Sequence, residues 1–188
     1  MSSRKNNQKT LLDFRSPDDN CWYSMLPSVL ENKTLVLKYL DFPDESYSVE
    51  NFKTQEAVED FKKRFRPACV QLQDRQCKDV ELGMGVCCSF IKGSGGDKEV
   101  KFYNGVIDSV DRKKHQGMKK TCRCSFEINW LEGPKAGSKE TMGIARICKL
   151  ETGTPLIDLK LADFLGMLEA QFKLPSEDFD KEDAEVKI

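Results

Sequence analysis

The stretch "CRCSFEINW", Cys122–Trp130, alternates without interruption. Cys122, Cys124, Phe126, Ile128 and Trp130 fall on one face, with Arg123, Ser125, Glu127 and Asn129 on the other. A period of two over this length suits a half-buried β-strand and excludes an amphipathic helix. Similar short segments surround it. "TLVLKYLDF" (34–42) reads as a strand turned by "FPDES"; "GVCCSFI" and "VKFYNGVIDSV" flank the glycine turn "GSGGD" as a hairpin; "TMGIARICKL" follows the turn "EGPKAGS" and closes a sheet.

Two helical patterns interrupt the strands. In 55–65 the residues Val58, Phe61 and Phe65 recur at helical spacing, with Pro67 just beyond. Near the C-terminus Leu161, Phe164, Leu165 and Leu168 make an amphipathic stripe. The pattern predicts a mainly β fold of small bent barrels, with room for two, over about 21–66 and 67–150. A polar, flexible tail is expected over 1–20, a helix within 151–174 and an acidic tail over 175–188.

The sequence carries eight cysteines and one histidine, His115. No apolar run near the N-terminus is long enough for a signal peptide, and none later could span a bilayer. An intracellular chain with reduced thiols is therefore expected, which leaves metal binding, packing or redox chemistry as uses for the cysteines. The net charge of −1 supplies no global attraction to nucleic acid or membrane. The basic run "RKKHQGMKK" (112–120) could touch phosphates, but a solvated loop is the simpler role, and specific nucleic-acid binding is not expected. Catalysis is not expected either: Gly-x-Ser-x-Gly, Walker and His-Glu-x-x-His motifs are absent, and "GSGGD" opens no helix.

Cys122 and Cys124, two apart on a strand, project to one side and could share an ion. The same face could equally be core, because reduced cysteine packs as a small hydrophobe. His115 and Cys77 lie in polar segments that offer no reason for burial. A Cys₃His set would bind Zn²⁺ tetrahedrally with no open position, the form of a structural site. The residues alone leave both readings open. Cys69, Cys87, Cys88 and Cys148 sit in apolar contexts and read as packing, as does Cys21 beside Trp22.

At the N-terminus "QKTLLDF" resembles the PCNA-interacting motif, with Gln8, Leu11 and Phe14 at its three anchor positions. Arg15 stands where a second aromatic is usual. An adaptor recruited by the PCNA sliding clamp is accordingly the alternative function.

Taken together, "CWYSMLPSVL", "LVLKYLDF", "ESYSVENF", "QCKDVELGMGVCCSF", "FYNGVI", "HQGMKKTCRCSFEINW" and "ARICKL" resemble the SAWADEE domain of plant chromatin proteins over roughly 21–150. No homeodomain precedes it in this sequence, unlike the sawadee homeodomain homologues. The resemblance implies a tandem Tudor-like pair of barrels with structural zinc on Cys77, His115, Cys122 and Cys124. It implies an aromatic cage for methyl-lysine on Tyr23, Tyr39 and Phe42. In the relatives two second-barrel positions help select a histone tail whose more N-terminal lysine is unmodified; these fall on Phe102, which lacks a hydroxyl, and Cys87, which replaces a larger aliphatic. The implied function is reading a methylated lysine of the histone H3 tail, in the lysine nine context, in the nucleus. DNA methylation or gene silencing, including the RNA-directed form, is the implied setting, with silencing-complex subunits docking on the C-terminal helix.

Overall fold

The computed structural model describes residues 12–40, 42–115, 121–152 and 158–173. Strands β1 (Leu12–Arg15), β2 (Trp22–Glu31), β3 (Thr34–Tyr39), β4 (Glu45–Ser48) and β5 (Phe65–Pro67) form one antiparallel sheet in the order β4-β3-β2-β1-β5. A second sheet takes β6 (Val70–Gln71), β7 (Gly85–Lys92), β8 (Glu99–Asp111), β9 (Ser125–Trp130), β10 (Lys139–Gly143) and β11 (Ile147–Lys149) in the order β10-β9-β8-β7-β11-β6. Helix α1 (Gln55–Lys62) follows β4, and α2 (Leu159–Ala170) follows β11. The architecture is mainly β, with two small curled sheets in tandem, as the strand pattern predicts.

Local chemistry explains the curl. Asn32 and Lys33 both take positive φ, 47° and 62°, which matches the twist of a tight β2–β3 hairpin. A register shift between Leu26 and Val29 bends β2. In the second sheet Gly105 lies so close to β9 that a Cβ there would stand 2.6 Å from Ile128 Cγ2. Each sheet closes on its own apolar core. Leu12, Phe14, Met25, Leu35, Leu37, Val58 and Phe61 pack in the first, and Val86, Ile107, Phe126, Ile128, Trp130 and Ile147 in the second.

Four expectations need correction. The tail expected over 1–20 contributes β1, which pairs with β2 on one side and β5 on the other. Its Phe14 is fully buried against Phe61 and Phe65, so the ring is unavailable to a clamp pocket; Gln8 and Leu11 lie outside the described residues. The helix expected to reach Phe65 stops at Lys62, because Phe65 is taken up by pairing with Phe14 of β1. The strand expected from Cys122 begins at Ser125, where the pairing with Asp111 of β8 ends. The acidic tail lies outside the described residues.

The fourth correction concerns α2. Its apolar stripe is not free for a partner: Leu161, Phe164 and Leu168 complete the first core. The Asp158 side chain caps α2, accepting from Lys160 N and Leu161 N, and also accepts from the Ser28 N–H at 2.7 Å and the Ser28 hydroxyl at 2.8 Å. Ser28 lies within the bulged part of β2, so one carboxylate satisfies both a helix end and an interrupted ladder. Lys62 pairs with Glu169, and the Gln171 amide donates to the Val49 carbonyl, which tie α2 to the rest of the first core.

Candidate functional site

Cys77, His115, Cys122 and Cys124 converge, with all ligand atoms within 4.8 Å of one another. The six-residue 3-10 turn Asp74–Asp79 carries Cys77, the segment after β8 carries His115, and the residues just before β9 carry both remaining thiols. His115 Nε2 stands 3.3 Å from Cys77 Sγ, 3.4 Å from Cys124 Sγ and 3.7 Å from Cys122 Sγ. A tetrahedral zinc with metal–sulfur bonds near 2.3 Å and metal–nitrogen bonds near 2.0–2.1 Å requires sulfur–nitrogen edges of about 3.6 Å. The donor set and its spacing therefore fit a closed four-coordinate cation site.

The thiols feel the crowding. Burial and then the neighbouring thiols push Cys77 up to about 12. Burial also raises Cys124, but the His115 ring, the Lys113 backbone N–H and the other thiols outweigh it and bring Cys124 down to about 7. Arg112 braces the turn by donating to the carbonyls of Cys77 and Val80, each at 2.8 Å.

The second feature is a groove of about 560 Å³ between the sheets. Trp22, Tyr23, Ser24, Leu40 and Phe42 line it from the first sheet, and Gly96, Lys98, Glu99, Val100 and Phe102 from the second. At its first-sheet side three rings adjoin. Tyr23 lies 4.6 Å from Phe42, edge to face, and 5.4 Å from Tyr39, tilted, between ring centres. Their exposures differ: Phe42 is 37% exposed, whereas Tyr39 is 6% exposed and packs in the first core without lining the groove. Tyr39 is thus the floor of the ring cluster and Phe42 its outer wall.

Tyr23 is held by its hydroxyl, which donates to Asp19 Oδ2 at 2.6 Å. Lys101 donates to the same oxygen at 2.9 Å, and Glu99 lies 3.2 Å away on its other side. Burial and the Asp19 hydrogen bond both raise the Tyr23 pKa, so the ring stays neutral. Of the two second-barrel positions, Phe102 lines the groove. Cys87 does not: it is buried with Trp22 and with Cys148, its cross-strand neighbour on β11.

The wall of the groove is braced by residues the sequence pattern did not single out. Glu132 accepts from Trp22 Nε1 and Arg15 Nη1, each at 3.1 Å, and so joins the sheets. It precedes Gly133, whose φ of 78° and approach to Tyr103 leave no room for a side chain. Arg66 stacks on Trp22 and donates to Asn104 Oδ1 at 2.6 Å. Buried Asp13 accepts from Ser24 Oγ and the Cys69 N–H. The sole sequence signal among these is Asp13, a lone acid inside the apolar run "LLDF".

The profile of the SAWADEE domain matches residues 8–148. Among solved structures, the selenium-substituted SAWADEE domain of Arabidopsis thaliana SHH1, carrying two leucine-to-methionine changes, superimposes with a TM-score of 0.52 at 17% identity, covering 77% of this chain and 98% of that one. The SHH1 SAWADEE domain in complex with an H3K9me3 peptide gives 0.51 at 18% identity, covering 76% and 98%. A search of curated proteins returns no match.

Proposed function

The chain belongs to the SAWADEE domain family, chromatin-reader modules rather than enzymes, and from that premise we propose that it reads a methylated lysine of the histone H3 tail. The observation that supports this reading is the pair Tyr23 and Phe42 at the side of an inter-sheet groove, with Tyr39 packed against Tyr23 from the first core. The lysine nine context is supported by the fold shared with the SHH1 domain that holds an H3K9me3 peptide.

Chemistry explains the choice of rings. A methylated ammonium keeps its charge but loses donors and hydration, and each aromatic face within about 6 Å adds roughly 0.5–2 kcal/mol. At 4.6 Å, Tyr23 and Phe42 are too close to hold a cation between their faces. Binding therefore involves outward rotation of Phe42, which is the exposed ring. Tyr23 stays in place through Asp19, and Tyr39 backs its ring from the core.

Zinc at the Cys₃His cluster serves as a structural clip: Cys77, His115, Cys122 and Cys124 hold it and fix the segments flanking β8 and β9. The setting is the nucleus, in gene silencing or DNA methylation. A histone-peptide array bearing each lysine methylation state tests the reading. Methyl-dependent binding at lysine nine is expected; an array without any methyl-dependent signal contradicts it.

A further inference from the structure

Cys69, Cys87 and Cys148 gather around Trp22 in a small cluster apart from both cores and from the Cys₃His set. Cys87 of β7 and Cys148 of β11 stand opposite each other in the ladder, and both are buried. Cys69 is half-buried and lies in the link that carries the chain from β5 of the first sheet to β6 of the second. Its N–H donates to buried Asp13 of β1 at 3.0 Å, which fixes the link. The Cys69 thiol also meets that of Cys87, and this contact, followed by burial, raises the Cys69 pKa. The same contact, with the Arg66 guanidinium beside it, holds Cys87 below the ordinary thiol value although burial alone would raise it. Nε and Nη2 of Arg66 are buried without a hydrogen-bond partner among the described residues. Asp13 stands 3.5 Å from Nε and is engaged by Ser24 and Cys69 as well. A thiolate at Cys87 therefore gives this buried cation a second anion.

We propose that Cys69 and Cys87 form a peroxide-sensitive dithiol, in which Cys87 is the attacking sulfur and Cys69 the resolving one. It requires neither the zinc nor the methyl-lysine reading. The half-buried Cys69 marks the side from which a molecule as small as hydrogen peroxide enters. The Cys87 thiolate attacks one peroxide oxygen and the O–O bond breaks, leaving a sulfenic acid on Cys87. The departing hydroxide takes up the proton that Cys87 released on ionising, and leaves as water. The Cys69 sulfur then attacks that of Cys87, the S–O bond breaks, and the Cys69 proton leaves with the hydroxyl group as a second water. Each sulfur gives up one electron and the peroxide takes both. The resulting disulfide ties the link between the sheets to β7. Cys148 is engaged elsewhere, its thiol donating to Gln71 Oε1 at 3.5 Å.

Peptide mass mapping of the full chain tests this, after treatment with hydrogen peroxide and unfolding in an alkylating reagent. The parent protein should yield a Cys69–Cys87 linkage that dithiothreitol reverses to two alkylatable thiols. Cys69→Ser, treated in the presence of dimedone, should carry that sulfenic-acid trap on Cys87. Cys87→Ser should slow the peroxide-dependent loss of the Cys69 thiol at least about tenfold, because the remaining sulfur is the protonated one. Cys148→Ser should still form the linkage. A parent protein in which both Cys69 and Cys87 stay alkylatable after peroxide, or in which Cys87 is linked to Cys148, overturns the proposal whatever the variants do. An unslowed loss of the Cys69 thiol in C87S overturns the assignment of Cys87 as the attacking sulfur, and the proposal with it.

Discussion

The Arg66 guanidinium carbon lies 3.6 Å from the centre of the Trp22 ring. The same side chain donates to Asn104 of β8 and stands 3.5 Å from the buried Asp13 carboxylate of β1. One arginine thus connects three strands of two sheets behind the groove. Arg66→Ala should lower unfolding free energy by about 2 kcal/mol, through lost cation–π contact and an uncompensated Asp13. Arg66→Lys should recover little, because an ammonium cannot stack as a plane. Denaturant unfolding followed by tryptophan emission measures both; a lysine variant as stable as the parent contradicts the stacking account.

Removing the metal should weaken the second sheet. Purified protein should carry about one Zn²⁺ per chain, and chelation should lower the melting temperature because ion binding is coupled to folding. Cys124→Ser should lose the metal. Cys88→Ala, at a fully buried position outside the cluster, should retain it and cost only packing, roughly 1–2 kcal/mol. Elemental analysis of both variants separates ligand from core cysteine.

Two features of this architecture were legible in the sequence and two were hidden. The alternation at Phe126, Ile128 and Trp130 follows from a strand with one face on a core, and the structure buries all three. Cys77, His115, Cys122 and Cys124 were legible as a set only through family resemblance, because Cys-x-Cys on an alternating strand reads equally as packing. The structure gives these thiols both roles: Cys77 and Cys124 are buried at the edge of the second core, and the ladder ends at Ser125, so that their sulfurs meet that of Cys122 and the His115 ring. Strand β1 was hidden because four residues after a polar stretch carry too little pattern to outweigh their neighbours. The docking of α2 was hidden because an amphipathic stripe shows that a face is covered but not by what.

Helix α2 should behave as part of the first sheet's core although it lies beyond residue 148, where the family match ends. Phe164→Ala should destabilise the protein by about 3–5 kcal/mol, the range for deleting a buried phenylalanine. Met167→Ala, on the exposed side, should stay within about 0.5 kcal/mol of the parent. Equal stability of the two variants would mean that α2 is not docked in solution.

Asp158 should add an acid-sensitive component to that docking. Burial alone would raise its pKa, but hydrogen bonds from Ser28, Leu161 and Lys160 outweigh it and the net shift is downward. A depressed carboxylate contributes stability that is complete above its ordinary value, about 3.9, and is lost as pH falls through the folded-state value. Asp158→Asn should therefore lower stability at neutral pH and flatten the decline on acidification below about pH 4. Parallel acid-unfolding curves for parent and variant would remove Asp158 as the cause.

The most direct measurement of the central claim is the affinity of Phe42→Ala for an H3K9me3 peptide, set against the unmodified peptide and against the variant's own melting temperature. Phe42 is the exposed wall of the ring cluster, so its loss should leave folding nearly unchanged while weakening methyl-dependent binding about tenfold or more. A stably folded variant that keeps the full preference of the parent for the methylated peptide would contradict the cage.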